Sequence, residues 1–550
     1  MKMKHFALIG FLSIGLWACS FGQNNLDPSI RKVNMALLAV ENLYVDTLNK
    51  DKLAEDAIIA LLAKLDPHST YMTAAEVKEM NEPLQGNFEG IGVQFNMLTD
   101  TLYIVQVIPG GPSEKVGIMA GDRIIYVNDS LIAGVNMKNN DIMSRLRGQK
   151  GTVVNVKIKR GDNPKLLPFK IIRGTIPIYS LDASYMINNE TGYIKLNRFA
   201  ATTYDEFMKA VRELQAKGMK DLILDLQGNG GGYLNTAIDI TNEFLKQGNL
   251  IVYTEGAHQR RKDAVASYKG SIEKGKVIVL IDESSASASE IVTGALQDWD
   301  RAVIVGRRSF GKGLVQSPVP FPDGSMMRLT TARYYTPTGR SIQKPYEKGN
   351  ADSYNMEVIT RYNKGEMISA DSIHFPDSLK YSTLVNHRIV YGGGGIMPDY
   401  FVPLDTTRFT DLHRMLIASG TINKLVMNTI DKNRTNYLKE YKTFEAYKQN
   451  FTVSDVMIDN LMRLYREEKS KNPKEFAEGV FSSETAAKES EQLAKSKSLI
   501  KLQIKALIAR DLWNMTEYFR IINEDNESLR KAVEIINRPA EYNKLLGVKQ

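Results

Sequence analysis

The sequence predicts an α/β multidomain protein: an α/β core preceded by an inserted, small β-rich unit, with a helical segment before them and a helical extension after them. Three observations carry this. The apolar runs Asp221-Leu-Ile-Leu-Asp-Leu226, Val277-Ile-Val-Leu-Ile281 and Ala302-Val-Ile-Val305 have the length of buried strands, and helical periodicity follows the second of them in Ile291, Val292, Ala295, Leu296 and Trp299. Between Gly86 and Gly174 short apolar runs alternate with turn signals. Residues 28–80 and 406–550 carry helical spacing instead.

The elements follow in chain order. Lys2 and Lys4 precede the apolar run Phe6 to Ala18, too short to span a bilayer as a mature helix, so residues 1–19 are expected to be a secretory signal. It ends in Leu16-Trp-Ala-Cys19. Cys19 is the sole cysteine in 550 residues, which excludes an intrachain disulfide, and its place after a small residue suits a bacterial lipoprotein cleavage and acylation site. Cleavage a few residues further on, leaving a soluble periplasmic chain, is the competing reading. Either outcome puts the mature chain outside the cytoplasm, and the periplasmic side of an envelope membrane fits a chain with no later cysteine. Residues 28–85 form the N-terminal helical segment, whose Val33, Ala36, Leu37, Val40 and Leu43 are expected to pack onto the core.

Residues 86–175 are the β-rich unit, with strands such as Leu102-Tyr-Ile-Val-Gln-Val107 and the turn Pro109-Gly-Gly-Pro112. The loop Glu89-Gly-Ile-Gly-Val93 has the glycines, Gly90 and Gly92, that let N–H groups face a terminal carboxylate, while a peptide adds as a strand beside Val93 to Phe95. A short helix at Asp141–Leu146 is the other wall, giving an apolar pocket from Ile91, Val93, Ile142 and Leu146 that selects apolar C-terminal residues. The competing reading is that these side chains simply fill a small barrel.

The core spans 176–405, with a polar stretch near 346–390 that reads as an insertion. Its chemistry lies in Glu283-Ser-Ser-Ala-Ser-Ala-Ser-Glu290 and in Phe310-Gly-Lys-Gly313, whose Lys312 is 25 residues past Ser287. A serine with no base nearby is inert near neutral pH, and a lysine is a base only where its surroundings keep it unprotonated. Bringing a lysine from about 10.4 to about 7 requires roughly 4 to 5 kcal/mol of disfavoured charge, which burial can supply. Lys312 is therefore expected to be largely buried. The serines sit on a strand-to-helix turn, where first-turn N–H groups lack intrahelical partners and favour developing negative charge. If Gly313 to Gln316 is extended, Lys312 and Gln316 point to one face, and Gln316 orients the amine. The loop Gln227-Gly-Asn-Gly-Gly-Gly-Tyr233 permits close backbone approach, so the N–H groups of Gly231 and Ala288 are paired as an oxyanion hole. A phosphate cradle is the alternative for such a loop, but no Gly-Lys-Ser/Thr follows it. The bland alternative for the serine run is a plain helix N-cap, with a solvated Lys312.

Composition narrows the field. A formal charge of +8 on 550 residues is spread along the chain with no dense basic cluster, which argues against nucleic acid as a partner. The six histidines have no ligand spacing, so no metal or other cofactor is called for. His68 of Asp66-Pro-His-Ser69 is read as ending a helix rather than as a catalytic base.

With these residues in hand, the chain resembles the carboxy-terminal processing peptidases, tail-specific serine proteases with an embedded PDZ domain. The Ser-Ala-Ser-Ala-Ser-Glu and Phe-Gly-Lys-Gly blocks, their separation and the glutamine four past the lysine carry the likeness. Leu65-Asp-Pro-His-Ser69, Tyr335-Thr-Pro-Thr-Gly-Arg-Ser-Ile-Gln343 and Gly393-Gly-Gly-Ile-Met-Pro-Asp399 add to it. The resemblance implies a crotonase-like core, Ser287 as nucleophile, Lys312 as general base, Gln316 as its orienting partner, and Arg147 as a regulatory link between peptide occupancy and the protease site. It also implies protein substrates with unstructured apolar tails. The glycine loop departs from the family in having Gln227 and Gly230 where Arg and Pro are usual.

Residues 406–550 fall outside the resemblance. Leu499, Ile500, Leu502, Ile504, Leu507 and Ile508 mark a helix there, and the region reads as an assembly surface, an adaptor platform or a helical cap on the core. A catalytically silent PDZ scaffold is the non-enzymatic alternative for the whole, though Ser287 and Lys312 are both present. A crotonase-like acyl hydrolase is the alternative within enzymes, though it has no use for a peptide-binding unit.

Overall fold

In a computed structural model, residues 27–97, 100–161, 163–471 and 486–549 are described. Cys19 and the predicted signal lie outside them.

The core sheet has six strands in the order Leu181–Met186, Thr191–Leu196, Asp221–Asp225, Val277–Ile281, Val303–Gly306 and Tyr400–Phe401. The first pair is antiparallel and the remaining pairs are parallel. All five residues of Val277–Ile281 are buried, because helices cover both faces of the sheet. Helices Thr203–Ala216, Leu234–Asn242 and Ala288–Asp298 pack on one face against Leu222, Leu224, Val277, Val279 and Ile281. On the other face, Ile223, Ile278, Leu280, Val303 and Val305 meet Leu529, Ala532, Ile535, Ile536 and Tyr542. The last two helices, Glu527–Ile536 and Pro539–Leu545, are thus the second layer of the core. An uninterrupted apolar strand some 250 residues upstream requires them.

A second sheet stands beside the core. It pairs Thr70–Met72, Met326–Tyr335, Leu250–Gly256 and Gln259–Val265 in that order, and Leu314–Pro320 also pairs with Met326–Tyr335. The β-rich unit is a sheet ordered Val93–Met97, Leu102–Val107, Arg123–Val127, Val153–Lys159 and Leu167–Ile172, with helix Asn139–Leu146 against it. Strands Asn87–Gly90 and Gly174–Pro177 pair with each other, so the unit leaves and rejoins the core at one point.

Helix Pro28–Leu43 buries none of its residues, and Val33 and Val40 are exposed. The expectation that this stretch packs onto the core does not hold: none of its apolar positions is buried among the described residues. Helix Ala74–Gln85 does reach the core. It opens with a capping box between Thr73 and Glu76 and closes at Gly86, whose φ of +75° suits a residue without a Cβ.

Helices Asp411–Ala418, Thr421–Glu440, Phe444–Asn450, Asp455–Lys471 and Ala486–Leu512 form a separate bundle around Leu416, Val426, Leu461, Ile504 and Ile508. Its long helix Thr421–Glu440 lies on the outer face of the β-rich unit. Met427 clusters with Tyr103 and Val105, Asp431 pairs with Arg123, and Arg434 Nη2 donates to Val105 O at 3.4 Å. Among the described residues no helix is long and apolar enough to cross a membrane.

Candidate active site

A cleft of about 970 Å³ opens between the core and the second sheet, lined by helix Ala74–Gln85 (Met80, Asn81, Leu84), the glycine loop, Ser287, Lys312 and the strands Leu314–Pro320 and Met326–Tyr335. Ser287 sits at the N-cap of helix Ala288–Asp298 with φ 56° and ψ −112°. A non-glycine residue at positive φ is strained, and such strain persists only where the surroundings over-determine it. Here they do. Glu290, one turn on and wholly buried, accepts from Ser287 N at 2.8 Å, Gly311 N at 2.7 Å, Lys312 N at 2.9 Å and Ser309 Oγ at 2.5 Å. Burial pushes its carboxyl up, and these four donors pull it back. The buried Tyr334 adds a second tie, with its hydroxyl against both Lys312 O and Ser287 O. Sequence reading quoted Glu290 only as part of a block and missed Tyr334; a glutamate at the third position of an apolar helix was the available signal.

Lys312 is pushed down to about 8, first by burial and then by the Arg328 guanidinium, against the opposing charges of Glu290 and Asp66. The block around His68 closes this side. Asp66 accepts from Ser69 Oγ at 2.6 Å and Thr330 Oγ1 at 2.8 Å, and Ser69 Oγ accepts from Thr330 N at 3.0 Å. His68 contacts the Tyr354 hydroxyl at 3.0 Å through Nε2 and is pushed down to about 4 by burial and by Lys312. It lies past the end of helix Lys50–Leu62, in a turn. The 346–390 stretch packs behind the lysine loop: the buried Arg361 donates to Ser309 O at 3.0 Å and Arg308 O at 2.7 Å.

Ser287 and Lys312 thus share one cleft, but no hydrogen bond joins the hydroxyl to the amine in this conformation. Gln316 lines the same cleft but does not hold the amine. A bulge between Val315 and Gln316 breaks the alternation on which that expectation rested, and Gln316 Nε2 donates to Leu314 O at 3.0 Å. Gly231 is pressed against the nucleophile loop. A Cβ there would stand 2.8 Å from Ser287 Cβ, and its φ is +102°, so only glycine fits. Its N–H is not open, however: it donates to Asn229 Oδ1 at 2.9 Å. Asn229 is itself buried and fixed by donating to Leu196 O. Ala288 stands at the first helical position, beside Ser287.

In the β-rich unit, strand Val93–Met97 is an edge, paired on one side only, with Gly90 and Gly92 at its start. Ile91, Ile142 and Leu146 are buried in the unit's core, and Val93 packs partly exposed against them. These side chains fill the unit's core between the edge strand and helix Asn139–Leu146. Arg147 caps the groove helix, stacks over Phe88 at 4.8 Å, and donates to Glu82 Oε2 at 2.6 Å on helix Ala74–Gln85.

A strained hydroxyl at a helix N-terminus, a desolvated lysine across a glycine-walled cleft and an attached sheet with a free edge define a serine-type peptidase with a peptide-binding domain. The comparisons agree. Residues 190–349 match the model of peptidase family S41, and residues 90–171 match the PDZ domain. Residues 412–514 match DUF8443, a family of unknown function. A carboxy-terminal-processing protease of Bartonella bacilliformis is 39% identical over 309 residues, 55% of this chain and 70% of that protein. The carboxy-terminal processing protease CtpB of Bacillus subtilis is 36% identical over 323 residues, 58% of this chain and 66% of that one. Among solved structures, the photosystem II D1 C-terminal processing protease is similar at 26% identity, covering 58% of this chain and 91% of that one, with a TM-score of 0.33. The chain belongs to the carboxy-terminal processing proteases of peptidase family S41.

Proposed function

We propose that this protein is a serine endopeptidase that captures the C-terminal tails of exported proteins in its PDZ groove and cleaves them through a Ser287 acyl-enzyme. The observation that carries the reading is Lys312, half-buried in one cleft with Ser287 and pushed down to about 8. A neutral amine there takes the Ser287 proton as Oγ attacks the scissile carbonyl, and gives it to the leaving amine as the C–N bond breaks. Water, deprotonated by the same amine, then hydrolyses the ester.

The Ala288 N–H faces the developing oxyanion. That of Gly231 joins it once the Asn229 side chain yields its hydrogen bond, and Gln316 supports the amine after a comparable rearrangement. Substrate-driven closure of this kind is common where apo contacts are not yet in catalytic register. Arg147 carries tail occupancy to the cleft through Glu82. The alternation of helices on both faces of a parallel sheet supports a crotonase-like core. Cys19 supports a lipid anchor on the periplasmic side of an envelope membrane, with soluble periplasmic protein as the alternative. The bundle 411–512 supports a platform for an adaptor or a second copy.

The test is to incubate the mature protein, beside Ser287→Ala and Lys312→Ala, with an unfolded reporter ending in an apolar tail and with one ending in Asp-Asp. Cleavage by the unsubstituted protein alone, faster for the apolar tail, is expected. Tail binding without cleavage, unchanged in both variants, would move the protein to the scaffold reading.

A further inference from the structure

Arg328 is the one guanidinium lining the cleft, and among the described residues it has no carboxylate partner. It lies on strand Met326–Tyr335 directly opposite Pro318, and the register puts it on the same face of the second sheet as Gln316 and Pro318, which also line the cleft. Its only hydrogen-bonding contact among the described residues is from Nη1 to Met80 Sδ at 3.3 Å, on the opposing wall. A guanidinium offers five N–H donors in a planar fork, and a thioether is a weak acceptor for one of them. Asp66, on the adjoining segment, commits its oxygens to His68 N, Ser69 and Thr330. Burial lowers the pKa of the Arg328 side chain, which therefore stands partly desolvated without a counter-charge.

The other arginines packed near the site are placed differently. Arg307 and Arg308 pair with Glu283, Glu357 and Glu366, and Arg361 holds main-chain carbonyls, as structural arginines do. Arg328 instead lines the cleft with its donors unmet, alongside the apolar Met80, Leu84, Pro318 and Met326 and within electrostatic reach of the Lys312 amine. What such a group lacks is a planar anion.

We infer that Arg328 is a specificity-determining residue that binds a carboxylate of the substrate segment lying in the cleft beside Ser287. The inference rests on the protease reading and deepens it: the PDZ groove selects the tail, and Arg328 selects what is cut. A bidentate arginine–carboxylate pair in a partly buried site is geometrically specific and stronger than a neutral hydrogen bond, and a site built for a charged partner rejects the uncharged isostere.

The test uses the full-length mature protein and unfolded reporters with one common apolar tail, differing only in a Glu or Gln placed in turn at each residue flanking the cut. Short peptides ending just past the cut, as free acid or amide, separate an acidic side chain from a terminal carboxylate as the source. At one position the acid is expected to raise kcat/KM about tenfold over its neutral counterpart. The ratio should fall to about one in Arg328→Gln and to an intermediate value in Arg328→Lys. Because both substrates meet the same preparation, partial misfolding of a variant cancels from the ratio, and Arg328→Lys decides the matter if Arg328→Gln is inactive. Equal rates for acid and neutral substrates, or a preference that survives Arg328→Gln, overturn this inference and leave the protease reading intact. Cleavage of no reporter overturns both.

Discussion

Ser287 and Lys312 are joined through one atom: Oε2 of Glu290 accepts the backbone N–H of each, at 2.8 and 2.9 Å. The serine turn and the lysine loop come from different strand ends, so their separation is set by this link together with the Tyr334 hydroxyl, which meets Ser287 O and Lys312 O. A buried carboxylate with four donors is a rigid spacer, since releasing any donor strands it in a dry site.

Glu290→Gln keeps the volume but puts an NH2 group where the carboxylate had an acceptor. Glu290→Ala leaves the donors unmet, each costing about 1 to 3 kcal/mol before water or relaxation intervenes. We expect Glu290→Ala to lower the urea-derived stability by about 3 kcal/mol and Glu290→Gln to cut kcat/KM by about 100-fold with a smaller loss of stability. Wild-type kinetics in Glu290→Gln would show that the spacing is held by other contacts.

The pKa of Lys312 sets a pH profile whose direction follows from its causes. Burial comes first and Arg328 second, opposed by Glu290 and Asp66, with the neutral His68 alongside. The working form is the free amine, so kcat/KM should climb about tenfold per pH unit below about 8 and level off above it. Removing the Arg328 charge relieves one cause, and Arg328→Gln should move that inflection upward.

The same group makes a stability prediction. The amine titrates near 10.5 when unfolded and about 8 when folded, so the unfolded chain holds more protons between those values, and stability rises with pH across that window. The contribution is present above the unfolded value and lost as pH falls through the folded one. Below about 8 the buried charge costs about 3 kcal/mol. Lys312→Met should therefore be inactive yet more stable than wild type at pH 7, with the difference vanishing near pH 11. Equal stability at pH 7 would mean that the amine is solvated after all.

What the sequence discloses depends on range. Ser287, Lys312 and the glycine loop stand on short apolar strands whose turns are set by neighbouring residues, and their placement around one cleft follows from strand order. Contacts made across a bulge or between distant segments are not legible that way. Gln316 was expected beside the amine because alternation was carried through a position where the strand bulges. Gly231 reads as an open donor in sequence because nothing local announces that Asn229, two residues back, turns its side chain onto that N–H. The C-terminal segment admits three readings in sequence, a helical cap on the core among them, since the apolar spacing of Leu529, Ile535 and Ile536 shows a helix face without showing that the sheet at Ile278 and Leu280 is what it covers. The face of Pro28–Leu43 is the converse: the same periodicity, with none of its residues buried among the described residues.

The docking of helix Thr421–Glu440 on the PDZ sheet is a contact between parts that the family pattern does not join. Asp431→Arg sets two cations together where Arg123 had a partner and should loosen that face. Hydrogen exchange in Leu102–Val107 is expected to quicken several-fold, while Val277–Ile281 in the core stays protected. Unchanged exchange at Leu102–Val107 would mean that the Met427, Tyr103 and Val105 cluster suffices by itself.

The contact between Arg147 and Glu82 connects the β-rich unit to the helix that walls the cleft. Arg147 ends the groove helix, and Glu82 sits on the helix whose Met80, Asn81 and Leu84 line the cleft, so a shift of the groove helix is felt at the cleft wall. Arg147 is 40% exposed, which makes the pair modest in energy, about 0.5 to 1 kcal/mol, and suited to transmission rather than to stability. Arg147→Ala should slow cleavage of an apolar-tailed reporter about fivefold while leaving the slow cleavage of the same reporter with an Asp-Asp tail unchanged, since only the first occupies the groove. Glu82→Ala should do the same, and the double variant should be no worse than either alone, because each removes the same link. Equal slowing of both reporters by Arg147→Ala would place the residue in general packing of the domain junction, and additive losses in the double variant would show that Arg147 acts through Phe88 rather than through Glu82.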